Sequence, residues 1–422
     1  MYAKLLKHKS FRLFCGGTAL SRLAANILQF ALAIYVLDMT RSAFIYSTVL
    51  SVIILPRIIL SPIAEYLANR KNSLNILKYG ILMSFILMGC FFIIHSRLMM
   101  LNICMIYILV SCQELCEVFI KHSEEKVLMC TMPENQINAA SEMSALFNGI
   151  VEIMSPVIGC FFYNVMGLTS ILLAVTIFEG VALVSVFSIQ AKPDYVLCHE
   201  EIKVEYVFSF HRIHERYKEI ITFLRENPTI VYVLLFAPIL NFFINPLFSV
   251  TTAYYFRVTM DANTEMYAMF NSFLGIATLL APFIAITLIQ NVDEKKINMT
   301  VSNFCAVTLL TLSGYLLLLG ARVSQNGLLR SVTLTMMILV VGVSIMSMAT
   351  SITLKKRIPK VMMNRILPIV QLCASISIPI GHLFYGICAD HFSITFSLLI
   401  SVCGLLLAYS IMLKAYEKGG DE

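Results

Sequence analysis

Arg22, Asn26 and Gln29 stand at i, i+4 and i+7 in a run of otherwise apolar residues. That spacing puts all three on one face of a helix. A later apolar run repeats the device with Asn241, Asn245, Ser249 and Thr252. Such stripes can hydrogen-bond a polar group in a water-filled interior, or they can tie neighbouring helices together. The arginine favours the first use, because neutral side chains suffice for packing. Gln113 and Ser347 join the same group of expected cavity residues. Ser347 lies in a Met-rich run with Met336, Met337, Met346 and Met348, where methionine can either adapt to varied ligands or simply fill space.

Acidic residues are the second chemical signal. Glu114, Glu117 and Lys121 lie at i, i+3 and i+7. Glu117 and Lys121 can pair along the helix in the favourable orientation, and Lys121 can extend toward a membrane surface. Glu114 sits deeper and has no local partner. It is a candidate for taking up and releasing protons, the alternative being a static ion pair with Arg22 or Arg57 on another helix. Glu152 is a second candidate, on a face made of Ala145, Gly149, Glu152, Pro156, Gly159 and Tyr163. Glu179 is a third and weaker one, expected to turn inward or to be neutral. All these acids fall in the first half, whereas the second half offers His382 and Asp390.

The elements that must hold these residues are membrane spans. Of 422 residues, 59% are hydrophobic and 13% charged, against about 45–50% and about 25% in soluble domains. The mean hydropathy is +0.82. So few charges cannot cover a soluble surface of this size, which argues against a soluble enzyme, a disordered chain and a nucleic-acid binder. A span needs about 20 apolar residues, and the runs suggest twelve: 11–37, 43–68, 74–94, 99–121, 140–166, 168–189, 228–256, 265–290, 297–320, 328–354, 365–390 and 393–415. The net charge of +6 reflects its distribution. Arg41, Arg97, Arg257, Arg322 and Arg330 fall in outer segments and Arg22, Arg57 and Lys78 within spans. The remaining Lys and Arg residues gather on one side, which predicts cytoplasmic termini at both ends.

A polar gap at 191–227 divides the chain, and its stretch 211–219 reads as a charged surface helix. The expected domains are therefore a six-helix bundle over 1–190, a linker over 191–227 and a second six-helix bundle over 228–422. The halves share local patterns. Pro156 and Gly159-x-x-Phe-Tyr163 parallel Pro379 and Gly381-x-x-Phe-Tyr385, and Arg22 and Asn26 match Asn241 and Asn245 at one offset of about 219, as in a parallel duplication. The fold class is accordingly all-α, a polytopic membrane protein with twelve transmembrane helices in two pseudo-symmetric six-helix bundles. The cysteines fall mostly in apolar runs without CxxC or Cys/His spacing, and no phosphate loop, HExxH or GxSxG occurs. No cofactor or metal is expected, and the chain is not expected to be an enzyme.

These features resemble the major facilitator superfamily over the whole chain. SRLAANI at 21–27 with FALAIYVLDMT at 30–40, and LPRIILSP at 55–62, are similar to the first two spans of bacterial macrolide-efflux-like exporters. The family's Gly-x-Leu-Ala-Asp-Arg loop has its counterpart in EYLANRK at 65–71, where Glu65 replaces the Gly and Asn69 the Asp. The resemblance implies a gate latch in which Arg70 engages Glu117. The family's Gly-Pro-x-x-Gly-Gly pattern is half kept, in Pro156 and Gly159. The implied reading is proton-coupled efflux of a small amphipathic or hydrophobic compound by alternating access in a bacterial cell membrane. Arg22, Asn26, Gln29, Gln113, Asn241, Asn245 and Ser347 would line the cavity. Glu114 or Glu152 would carry protons, and Arg70, Glu117, Pro156, Gly159, Pro379 and Gly381 would serve gating. The partners would be a small-molecule substrate, protons and the lipid bilayer, with no nucleic acid and a monomeric state. The alternatives are an uptake carrier for a nutrient or metabolite and a transport-inactive accessory or immunity protein.

Overall fold

In lipid no water can satisfy backbone N–H and C=O groups, so a spanning segment must bond to itself as a helix. The computed structural model describes residues 8–70, 72–98, 102–132, 136–189, 222–289, 294–319 and 322–417. Among them, twelve helices are long and apolar enough to cross a membrane. They are α1 (Lys9–Thr40), α2 (Ala43–Arg70), α3 (Ser73–Leu98), α4 (Ile103–Thr131), α5 (Ile137–Met166), α6 (Leu168–Phe187), α7 (Pro228–Phe243 and its continuation to Thr259), α8 (Thr264–Ile289), α9 (Glu294–Leu319), α10 (Gln325–Arg357), α11 (Lys360–His391) and α12 (Ile394–Glu417). The expected surface helix at 211–219 lies outside the described residues, as do the side chains of Asn69 and Arg70.

Local chemistry sets the ends. The Asn102 side chain accepts a hydrogen bond from the Met105 N–H and opens α4, and Ser324 does the same for α10 through Gly327, satisfying donors that a helix start leaves orphaned. Gly167 alone joins α5 to α6 with φ of 60°, a left-handed joint that suits a residue without Cβ. Phe161, Val184 and Leu317 are about two-thirds exposed and Leu318 is 80% exposed. Apolar surface of that extent fits contact with lipid rather than water.

The chain groups into two compact units. The first holds Met1–Arg41, Val52–Lys203 and Asn263–Ser272, and the second holds Ser42–Ser51, Val204–Ala262 and Phe273–Glu422. In the first unit α1 packs on α4, α5 and α6, and α3 packs on α4 and α6. In the second, α7 packs on α10, α11 and α12, and α9 packs on α10 and α12. The neighbour order of one unit is that of the other shifted by six helices. A core of Phe11, Phe14, Leu74, Leu77, Ile81, Ile120 and Val186 seals one end of the first unit.

The first turns of α2 and α8 each join the unit that does not hold the rest of their helix. For α2 the reason is Asp390 at the end of α11. Its carboxylate accepts from the Ser42 hydroxyl at 2.6 Å, the Ala43 N–H at 2.6 Å and the Phe44 N–H at 3.0 Å. It thus caps the start of α2 with a charge suited to a helix N-terminus. For α8 the reason is aromatic: Tyr267 stacks on Phe30 of α1 with ring centroids 5.5 Å apart. Asp390→Ala is expected to destabilise the start of α2 by about 1–2 kcal/mol. Hydrogen exchange should show faster exchange confined to the first turns of α2, whereas unchanged protection there would dismiss the capping role.

α7 differs from the plain span expected at 228–256. It breaks at Ile244 and continues as π-helical Leu247–Thr251, a turn at Thr252–Tyr254 and π-helical Tyr255–Thr259. Pro246 has no N–H to donate, and the Leu247 N–H turns to Ile244 O at 3.1 Å. The carbonyl of Phe243 then takes its hydrogen bonds from the hydroxyls of Tyr385 at 2.7 Å and Ser401 at 3.0 Å. The Asn-Pro pair at 245–246 was the sequence signal for this interruption, which exposes backbone inside the unit where α11 and α12 can bond it.

Candidate functional site

α4 is the spine of the site. Glu114, Glu117, Lys121 and Glu124 follow at intervals of three and four residues and so share one face. Three of these are acids, and each meets a different partner. Glu114, 3% exposed, accepts from Arg57 Nε of α2 at 2.7 Å. Glu124 accepts from Arg22 Nη2 of α1 at 2.7 Å. Glu117 accepts from Gln113 Nε2 at 3.4 Å. The two ion pairs therefore fasten α1 and α2 to α4 about 15 Å apart along its axis.

A second set of contacts links Glu117 to α6. Glu179 on α6 is fully buried. Its oxygens accept from Ser21 Oγ of α1 at 3.1 and 3.2 Å and from Ser84 Oγ of α3 at 2.9 Å. Ser84 in turn meets Gln113, accepting from its Nε2 at 3.0 Å and lying 3.2 Å from its Oε1. The chain Ser21–Glu179–Ser84–Gln113–Glu117 thus crosses four helices. Nearby on α4, His122 Nε2 lies 2.8 Å from Ser61 Oγ of α2.

The expected site residues separate into groups. Arg22, Gln113, Glu114 and Glu117 come together in this network. Glu114 takes the ion pair with Arg57 that was its alternative reading, and Gln113 is buried between Ser84 and Glu117. Asn26 is half-buried and Gln29, Glu152 and Ser347 are exposed. Glu152 stays within electrostatic range of Arg22. Lys121 is exposed. Glu124 escaped the sequence reading because the fourth span was ended at residue 121, while the helix runs to Thr131. Extending the three-and-four spacing by one step would have found it. Glu179 turns inward, and its partners Ser21 and Ser84 carry no signal in the sequence.

The second unit holds a counterpart built on a histidine. His382 of α11, 3% exposed, places Nε2 at 2.9 Å from Ser249 Oγ and 3.1 Å from Asn245 Oδ1 beside the break in α7. Its Nδ1 is buried without a hydrogen-bond partner. Asn241 donates to the Ala374 carbonyl at 3.2 Å. Of the expected gating residues, Gly159, Pro379 and Gly381 lie at close helix contacts. Pro156 and Gly159 are buried on α5, and a Cβ at Gly159 would come within 2.9 Å of Phe30. Pro379 is buried and accepts from Ser51 at 3.3 Å. Gly381 sits against the Phe242 carbonyl of α7, where a Cβ would come within 2.6 Å of that oxygen.

No family model and no curated protein matches this sequence. Solved structures do match in fold. A bacterial homologue of the iron transporter ferroportin in its inward-facing state aligns with TM-score 0.67 at 13% identity, covering 97% of this chain and 99% of that one. A D-xylose–proton symporter aligns with TM-score 0.72 at 12% identity over 98% and 97%. A variant of the nucleoside transporter NupG aligns with TM-score 0.72 at 9% identity over 97% and 100%. What is shared at these identities is the fold: the described residues are all-helical, with twelve candidate membrane spans, and have the major facilitator fold.

Proposed function

We propose that the protein is a secondary active transporter of a bacterial cell membrane, with both termini cytoplasmic, that exports a small amphipathic or hydrophobic compound in exchange for protons. The observation that carries this reading is the charged network inside the first unit. Each ionised group placed at the centre of a span costs about 2.5–3.5 kcal/mol on insertion scales, and such groups mark ion and substrate pathways. Arg22 and Glu124, together with Arg57 and Glu114, place four of them on three adjoining helices. The structural neighbours named above carry chemically different solutes by their titles, among them a sugar with protons and a nucleoside. Coupling between an ion and a solute is therefore compatible with this fold.

In this reading the halves 1–190 and 228–422 rock about a solute held by Arg22, Asn26, Gln29, Asn241, Asn245 and Ser347. Each ligand biases one of two states through its differential affinity. Glu114 and Glu152 exchange protons, and protonation of Glu114 would release Arg57. Arg70 with Glu117, and the Pro156–Gly159 and Pro379–Gly381 contacts, serve as gate and hinge. One observation also suits a transport-inactive accessory protein, namely that Arg22 is already paired with Glu124. Against it, the Arg22 side chain keeps 32% exposure, so part of the guanidinium stays open to a ligand.

The test is accumulation of a panel of amphipathic fluorescent dyes in cells making the full chain. At least one dye should accumulate several-fold less than in control cells, and a protonophore should abolish the difference. Glu114→Gln with Glu152→Gln should abolish it as well. If no dye responds although the protein reaches the membrane, the export reading fails. If the doubly substituted protein exports normally, the proton roles of these two residues fail.

A further inference from the structure

Glu179 lies between Ser21 and Ser84 in the hydrogen-bonded chain and, among the described residues, makes no ion pair. It is fully buried, and among the described residues its hydrogen-bond partners are the hydroxyls of Ser21 and Ser84. A hydroxyl both donates and accepts, so the same two serines serve this carboxyl with or without a proton. A carboxylate meant only to be a fixed anion is ordinarily matched by Arg or Lys, as Glu114 and Glu124 are here.

The distances around Ser84 allow both hydrogen-bonding arrangements with the heavy atoms where they are. With Glu179 ionised, Ser84 Oγ donates to Glu179 Oε1 at 2.9 Å and accepts from Gln113 Nε2 at 3.0 Å. With a proton on Glu179 Oε1, that new O–H donates to Ser84 Oγ, whose own hydrogen turns to Gln113 Oε1 at 3.2 Å. The Gln113 amide, which also reaches Glu117, then loses or keeps its hold on Ser84 according to the charge of Glu179. One proton adds to one carboxylate oxygen and leaves the same oxygen; no other bond changes.

We propose that Glu179 is a proton-binding site, with Ser84 as a two-way rotor that transmits its charge state through Gln113 to Glu117. The site differs from Glu114 and Glu152, and its role in coupling rests on the proton-exchange reading above, whereas proton binding itself does not. Titratable or polar groups lie on each of the helices adjoining it. α1 offers Ser21 and, one residue on, Arg22 held by Glu124. α3 offers Ser84, with Lys78 and His95 several residues away along that helix. α4 offers Glu117, in electrostatic contact with Glu179, and Cys116, with Glu114 held by Arg57. α5 offers the exposed Glu152. Glu117 is half-buried and Glu179 fully buried, so the more exposed end of the chain is on α4 and the sealed end on α6.

Infrared difference spectra of the full chain in lipid vesicles, recorded between acid and alkaline pH, test this without any transported compound. The expected result is a carboxylic-acid C=O band that appears and disappears with pH and is lost in Glu179→Gln. Glu117→Gln and Ser84→Ala should keep the band but move the pH at which it changes. These two variants retain the Glu179 carboxyl and so read the site even if Glu179→Gln assembles poorly. A band that never changes with pH overturns the proposal, as does one equally present in Glu179→Gln. A Glu179 band insensitive to both Glu117→Gln and Ser84→Ala removes the transmission through Ser84. Absence of any dye export by the unsubstituted protein, with the titrating band intact, would be failure of the export reading and not of this site.

Discussion

Glu124→Ala destabilises the purified protein by about 2–4 kcal/mol, and adding Arg22→Ala to it recovers part of that loss. The pair is Arg22 Nη2 to Glu124 Oε2 at 2.7 Å. Removing the acid alone leaves a guanidinium inside a span without its ion-pair partner, with Glu152 only within electrostatic range and with an Nε that has no partner among the described residues. Removing both groups takes away the attraction together with the desolvation that opposed it, so the double substitution is milder than the single one. The figure sits somewhat below the range for fully sealed pairs because the Arg22 side chain is 32% exposed, which lets water screen part of the charge. Unfolding midpoints in detergent for the two single variants and the double variant give the coupling directly. Strictly additive losses would mean that the two groups do not depend on one another. The same pair holds α1 against α4, so the single variants should also lose dye export before they lose expression.

Gly381→Val is the second large effect, and its cause is steric. A Cβ at this position would lie 2.6 Å from the Phe242 carbonyl oxygen and 2.8 Å from Pro246 Cγ. Both belong to the backbone or a locked ring of α7, so neither can rotate aside as a flexible side chain would. Helices in lipid associate largely through close packing and interhelical hydrogen bonds, and moving α11 outward would also strain the Tyr385 hydrogen bond to the Phe243 carbonyl. A loss of about 1–3 kcal/mol is expected from overpacking, with Gly381→Ala intermediate. Thermal unfolding in detergent checks the order glycine, alanine, valine. A valine variant as stable as the original chain would show that α7 and α11 can separate here without consequence.

The number and approximate limits of the spans were legible in the sequence because a lipid-crossing helix must be a long apolar run, and such a run is local. The candidate site was legible only in part. Arg22, Gln113, Glu114 and Glu117 were visible as polar residues in apolar company. Glu124 was lost to a misplaced helix end: after Lys121 the sequence turns polar, yet α4 continues to Thr131 with Glu124 turned to Arg22. The halves' shared patterns around Pro156 and Pro379 pointed to duplication, and the six-helix shift in neighbour order agrees with it.

The sequence by itself determined the twelve apolar runs that form the candidate spans among the described residues, with a few charges among them, since span length and hydropathy are properties of consecutive residues. Tertiary structure decided which charge meets which. Glu179 meets Ser84 across 95 residues and Ser21 across 158, and Arg22 reaches Glu124 across 102. Those pairings depend on how deep each helix sits and how it is turned about its axis. Both are set by packing against neighbours, which no local pattern of residues contains.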